Sequence, residues 1–201
     1  MALMDELLLI FAGWLAYGLL HSLLASSRVK AMLKPALEKT GLSYRLYFTF
    51  FAVLSPIPLL WFQWKSESVY IWPNPYILRL AGGMLAGLGL AVLRKAFSVY
   101  DSHLFFGLSK DEEHSEEFKK DGLLRVVRHP LYLATLMIFW GWFLFNNSWQ
   151  NLAFCTANTL YIFIGIAWEE KKLIGQYGQK YLDYKASTPM IFPRWRAGGK
   201  R

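Results

Sequence analysis

The sequence predicts an all-α integral membrane protein of about five transmembrane helices, and three observations carry that prediction. First, 55% of its 201 residues are hydrophobic and 17% aromatic, more apolar surface than a soluble domain of this size buries. Second, the apolar residues gather into five long stretches. Third, 20 of the 22 lysines and arginines fall on one side of those stretches. The chain is expected to form a single membrane-embedded domain over 1–201.

A bilayer core about 30 Å thick takes roughly 20 mainly apolar residues per helix. The stretches are Leu7 to Leu24, Leu46 to Trp64, Ile77 to Leu93, Leu131 to Phe145 and Trp149 to Trp168. Before the first, Met1 to Glu6 carries two acids and no basic residue, and no convincing small-residue cleavage site follows it, so it reads as a retained helix and not a signal peptide. Pro56 and Pro58 should kink the second. In the third, Gly82, Gly83, Gly87 and Gly89 form a small-residue face suited to close helix packing; no strand precedes them, which argues against a phosphate-binding loop. The fourth is short and tied to the fifth by Asn146, Asn147 and Ser148, the mark of a tight helical hairpin. Trp61, Trp64, Trp72, Trp142 and Trp149 lie where indole rings commonly anchor at a membrane interface.

Orientation follows from charge. Basic residues cluster after the first, third and fifth stretches, leaving only Lys65 and Arg79 near the other side. Because Lys and Arg are retained in cytoplasmic loops, the N-terminus is expected outside and the C-terminus in the cytoplasm of a bacterial-type inner membrane. The same topology accounts for the net charge of +8, which in a soluble chain would first suggest nucleic-acid binding. The expected macromolecular partner is the lipid bilayer, with no nucleic acid. Cys155 is the single cysteine and has no partner for an intrachain disulfide.

Polar groups without a topological purpose gather in three places. The segment from Phe97 to Pro130 holds Asp101, His103, His114 and an acidic run from Asp111 to Glu117, which reads as a solvated face. It ends in Arg128-His129-Pro130-Leu131-Tyr132, where Pro130 suits the first turn of a helix and the backbone N–H groups around it are expected to be open to a ligand. An interfacial Arg and His touching lipid headgroups is the equally open structural reading. Glu169 and Glu170 follow Trp168; at a helix C-terminus they would oppose the macrodipole unless the helix continues or cations offset them. The tail from Leu173 to Tyr184 alternates aromatics and glycines and reads as folded.

Arg128-His129-Pro130-Leu131-Tyr132, then Glu169-Glu170 with Leu173, Gly178, Tyr181, Tyr184, Pro189 and Pro193, resemble the isoprenylcysteine carboxyl methyltransferase and phospholipid methyltransferase superfamily. In the N-terminal part, His21-Ser22-Leu23-Leu24-Ala25-Ser26, Val29-Lys30 and Tyr44-Arg45-Leu46 are similar to its NnrU-type and methanethiol S-methyltransferase-type branches, as is Phe105-Phe106-Gly107-Leu108 after Asp101. The resemblance implies a membrane enzyme that uses S-adenosyl-L-methionine, held over 97–193. It implies cofactor contacts from Gly122, Leu124, Arg128, His129, Pro130, Leu131, Tyr132, Glu169 and Glu170, with Glu169 on the cofactor's amino group. Arg128 and His129 are the candidate catalytic residues, and His129 or His103 would assist deprotonation of a thiol. No metal site is expected.

Two departures bear on the acceptor. Where prenylcysteine enzymes carry an arginine shortly before the glutamates, this chain has Gly165, Ile166 and Ala167, which argues against a carboxylate acceptor. The tyrosine common before Arg-His-Pro is Leu124 here. A small thiol is the favoured acceptor. A lipid headgroup amine is the alternative within enzymes, and a non-catalytic NnrU-like factor of nitrogen-oxide metabolism, with His21 or His103 on a haem or metal, the alternative outside them. For His21 the structural reading is a polar residue hydrogen-bonded inside the bundle. A sterol-type reductase is disfavoured by the short chain.

Overall fold

The computed structural model describes residues 2–73, 75–98, 118 and 120–194. Among them the secondary structure is helical apart from one isolated bridge between Tyr70 and Ser148. The helices are α1 (Leu3–Ala25), α2 (Ser27–Leu37), α3 (Tyr44–Leu54), α4 (Ile57–Lys65), α5 (Tyr76–Phe97), α6 (Pro130–Phe145), α7 (Trp149–Tyr177) and α8 (Gln179–Ser187). Asp101, His103, His114, the acidic run and Phe105 to Leu108 lie outside the described residues.

Among the described residues four spans are long and apolar enough to cross a membrane: α1, the combined Tyr44–Lys65 stretch, α5 and α7. Helix α6 is equally apolar but has 16 residues. The five stretches anticipated from the sequence are therefore helices, and the protein is an all-α membrane protein. Many large apolar side chains along them face outward, as in Leu8, Leu20, Val53, Leu60, Met84 and Leu88. That distribution suits a lipid surround and would be unstable in water.

Local chemistry sets the breaks. Ser26 separates α1 from α2 and caps the latter, its hydroxyl accepting from the Val29 N–H at 3.4 Å. Ser43 caps α3 through the Leu46 N–H at 3.2 Å. The second span is interrupted at Ser55 and Pro56, with Pro58 in the first turn of α4, where a missing N–H costs nothing.

Helices α5 and α6 pack backbone to backbone. A Cβ at Gly82 would lie 2.5 Å from the Phe145 amide nitrogen, and one at Gly141 2.6 Å from that of Ala86. Gly89 faces α6 in the same way, its Cβ site 3.0 Å from the Ala134 carbonyl oxygen. Gly83 and Gly87 meet nothing within 4 Å, so the expected glycine face is narrower than the sequence suggested. Both sit on the side of α5 turned away from α6.

Helices α1 and α7 form the second close pair. Gly18 leaves room for the Tyr161 ring, which lies 2.5 Å from the position a Cβ would take. The core they share with α6 holds Ile10, Trp14, Phe143, Phe154, Cys155 and Ala157. At one end of this pair the α6–α7 turn is buried, not an exposed hairpin tip. The Ile71 N–H donates to the Asn147 carbonyl at 3.0 Å, and the Trp149 N–H to that of Val69 at 3.0 Å. Gln63, Gln150 and Asn151 complete a polar network there, with Gln63 donating to Asn151 at 2.8 Å and Trp14 to Gln63 at 3.1 Å. The sequence reading did not anticipate this network. The site described next lies at the opposite end.

Candidate functional site

Helix α7 does not stop at Trp168. It runs to Tyr177 and ends at Gly178, whose φ of 55° suits a residue without a Cβ. Glu169 and Glu170 therefore lie within a helix, and the expected conflict with a helix C-terminus does not arise. Successive residues on a helix diverge by about 100°, so the two carboxylates face different surroundings.

Glu170 points inward and is 6% exposed. Arg128 donates to its Oε1 from Nε at 2.8 Å and from Nη2 at 2.6 Å, while Lys185 Nζ approaches Oε2 at 2.7 Å. His129 Nε2 lies 3.2 Å from Oε1. The Arg128 Nη1 also donates to the carbonyls of Lys185, at 3.0 Å, and Thr188. This cluster joins the loop before α6, the end of α7 and the segment after α8. A buried carboxylate so surrounded is fully compensated, and removing one partner leaves charge stranded in a dry environment.

Two backbone bonds reinforce the junction: the Arg128 N–H donates to the Pro189 carbonyl at 2.9 Å and the His129 N–H to that of Met190 at 3.1 Å. The amides of Arg128 and His129, expected to be open at this helix start, are therefore spoken for, and Pro130 has none. Closure of the tail also buries Ile191, 1% exposed, against Leu136, Ile162 and Ile166.

Glu169 projects the other way, with its side chain 44% exposed and one long contact, Oε2 to His129 Nδ1 at 3.8 Å. It lines a cavity of about 770 Å³ together with Arg128, His129, Pro130, Leu131 and Tyr132 of the Arg-His-Pro segment. The α7 wall is Tyr161, Gly165, Trp168, Glu169 and Lys172, a spacing that puts all five on one helical face. The third wall is the end of α1, with His21, Ser22 and Ala25.

The structure thus brings seven of the nine anticipated site residues to one place. Arg128, His129, Pro130, Leu131, Tyr132 and Glu169 line the cavity, and Glu170 sits behind them. Gly122, at φ 60°, and Leu124 lie on the preceding 3-10 turn, outside the cavity lining; the Leu124 carbonyl accepts from the Tyr184 hydroxyl at 2.6 Å. The sequence reading missed Tyr161, Trp168 and Lys172 as lining residues, although the α7 periodicity from Glu169 would have found them. Lys185, among the basic residues after the fifth stretch, carries no sequence signal of its contact with Glu170. Among the described residues no three His, Cys, Asp or Glu side chains are grouped to hold a metal ion.

The donor set fits S-adenosylmethionine. Glu169 offers an accessible carboxylate for an ammonium group and Lys172 an ammonium for a carboxylate. His129 and Tyr132, ring centroids 5.6 Å apart, offer flat faces. Gly165 keeps the wall between them open, its Cβ site meeting only the Tyr132 hydroxyl at 4.0 Å. The volume lies within the range of small-molecule sites.

Comparison with known proteins gives the family. Residues 77–180 match the model of the family described as phospholipid methyltransferase, slightly over half of the chain. Methanethiol S-methyltransferase 1 of Bradyrhizobium diazoefficiens is 32% identical over 190 residues, covering 90% of this chain and 64% of its own length. The methanethiol S-methyltransferase of Crocosphaera subtropica is 28% identical over 195 residues, 92% of this chain and 74% of that protein. That of Mycobacterium tuberculosis is 28% identical over 143 residues, 67% and 58% of the two chains. The chain thus spans about two thirds of the length of such relatives. No solved structure matches it.

Proposed function

Since the chain belongs to the phospholipid methyltransferase family, we propose that it is a membrane methyltransferase that uses S-adenosyl-L-methionine to methylate a small thiol at the cytoplasmic face. One observation carries the cofactor reading: of two adjacent carboxylates, Glu170 is consumed by Arg128, Lys185 and His129, and Glu169 is left accessible at the edge of a large cavity. A carboxylate in a partly desolvated site favours a cationic ligand. Glu169 would hold the cofactor's ammonium group and Lys172 its carboxylate, with His129 and Tyr132 against its flat parts.

When bound, the cofactor would supply an electrophilic methyl group on a positively charged sulfur, with a neutral thioether as its leaving group. The protein's part is to align the acceptor and exclude water. Arg128, expected from the resemblance to be catalytic, serves this site better as the clamp on Glu170, because its guanidinium nitrogens are taken up by that carboxylate and by the Lys185 and Thr188 carbonyls. His129 likewise orients the carboxylates between which it lies.

The thiol reading rests on the relatives' names and on Gly165, Ile166 and Ala167 standing where prenylcysteine enzymes have an arginine. The family description itself favours a second acceptor, a lipid amine, which the same assay covers. The cytoplasmic placement rests on the basic residues flanking this end of the bundle.

Calorimetry with S-adenosylmethionine on the detergent-purified protein tests the reading. Micromolar binding is expected, lost in Glu169→Ala and kept in Asp183→Ala, followed by transfer of labelled methyl to thiols and then to lipid amines. No binding by folded wild-type protein would move the weight to the non-catalytic membrane factor.

A further inference from the structure

We propose that His21, held in place by Tyr161, is the base that takes the proton from a neutral thiol acceptor, so that the α1 end of the cavity is the acceptor site. This rests on the methyl-transfer reading above and assigns a residue to a step it left open. A thiol is a poor nucleophile until it is a thiolate, so a methyltransferase acting on one needs a proton acceptor beside it.

The described residues offer few groups for that role. His129 has both ring nitrogens against carboxylates, Nε2 at 3.2 Å from Glu170 and Nδ1 at 3.8 Å from Glu169. Cys155 is buried away from the cavity, and Lys172 beside Glu169 belongs to the cofactor end. His21 faces the same cavity from the opposite wall. Its Nδ1 lies 2.9 Å from the Tyr161 hydroxyl, and its Nε2 has no partner among the described residues.

The pair is built, not incidental. Gly18 opens the slot for the Tyr161 ring, since any Cβ there would lie 2.5 Å from it. Ser22, one residue beyond His21, donates to the Tyr161 hydroxyl at 3.2 Å. Phe48 packs against the imidazole with ring centroids 4.8 Å apart. With Ser22 donating on one side, the remaining lone pair of the Tyr161 oxygen can take the Nδ1–H of His21, which leaves the Nε2 lone pair toward the cavity. Tyr161 and Glu169 are eight residues apart on α7, about 12 Å along the axis. A cofactor anchored by its ammonium at Glu169 would thus leave the Tyr161 end for the acceptor.

In the step itself the S–H bond breaks, its proton goes to Nε2, and the electron pair stays on sulfur as the nucleophile. The resulting imidazolium is steadied by donating Nδ1–H to Tyr161. Its proton leaves to solvent when the product departs. Arg128, His129, Glu169, Lys172, Tyr132 and Tyr161 are the other titratable or charged groups on this cavity.

Two measurements test the assignment. The first uses purified protein without cofactor and with nitrogen-labelled histidine, the His21 signals being those lost in His21→Gln. NMR should show the Nδ1–H tautomer and an Nε2 signal that shifts on adding ethanethiol. An Nε2–H tautomer that ignores ethanethiol would overturn the proposal.

The second compares ethanethiol with thiophenol, which is largely ionised already at neutral pH. His21→Gln should lower transfer to ethanethiol by about a hundredfold or more yet hold thiophenol within about threefold of wild type. S-adenosylmethionine binding should be unchanged. Tyr161→Phe, which keeps the ring, should lower only the ethanethiol rate, by about tenfold. Equal effects on both thiols, or none, would overturn the assignment. A wild type that binds no S-adenosylmethionine would instead overturn the function proposed above, and the NMR result then decides the role of His21 by itself.

Discussion

Two neighbouring glutamates show how much a single helical step decides. Glu170 is walled in by three cationic or imidazole partners, so Glu170→Gln strands Arg128 and Lys185 and should cost about 3–5 kcal/mol of stability, read as a lower unfolding temperature in detergent. Glu169→Ala removes an exposed carboxylate with one long contact and should leave that temperature nearly unchanged while abolishing cofactor binding. If both variants unfold alike, Glu169 is structural and the site map is wrong. The sequence presented the two as an equivalent pair, and nothing local separates them. Their difference comes from what α8 and the Pro189–Met190 segment bring to one side of α7. His21 illustrates the same limit. Its expected hydrogen bond inside the bundle is present, but the partner, Tyr161, is 140 residues away and carried no sequence signal.

At the scale of elements, the α5–α6 interface is the sharpest case. Gly141→Val would push a side chain into the Ala86 backbone, and overpacking of this kind costs about 1–3 kcal/mol. Gly83→Val, on the open side of α5, should stay within about 0.5 kcal/mol of wild type. Thermal unfolding of the two in parallel checks the interface; equal losses would place the packing face elsewhere. The glycine-rich character of α5 was legible in composition, but which glycines touch α6 depends on crossing geometry that one helix's sequence does not contain. The tail after α8 is a second element-scale device. A stop after Ser187 deletes the Pro189 and Met190 carbonyls that hold Arg128 and His129 and the buried Ile191. Such a protein should lose cofactor binding while keeping the α1–α7 core, a split visible as retained helical circular dichroism without calorimetric heat.

For the whole molecule, the distribution of basic residues makes an orientation testable by labelling. Cys155 is fully buried and should react little with an impermeant maleimide. A cysteine at Lys39 or Ser187 should label only after the inner membrane is opened, and one at Glu67 from the outside of spheroplasts; the reverse pattern would place the cavity on the outer face. The sequence by itself determined the apolar spans, the interruption of the second at its prolines, and the segments that bear the candidate site. These follow from the length a bilayer demands, from proline chemistry, and from ordered motifs, all of which are local along the chain. The tertiary structure alone decided that Glu170 is a buried strut and Glu169 an exposed carboxylate on the cavity, and that the amides of Arg128 and His129 are bound by the tail. It also decided that His21 shares a cavity with His129. Those outcomes depend on which faces of α1, α6 and α7 converge, and convergence is set by packing between segments far apart in sequence.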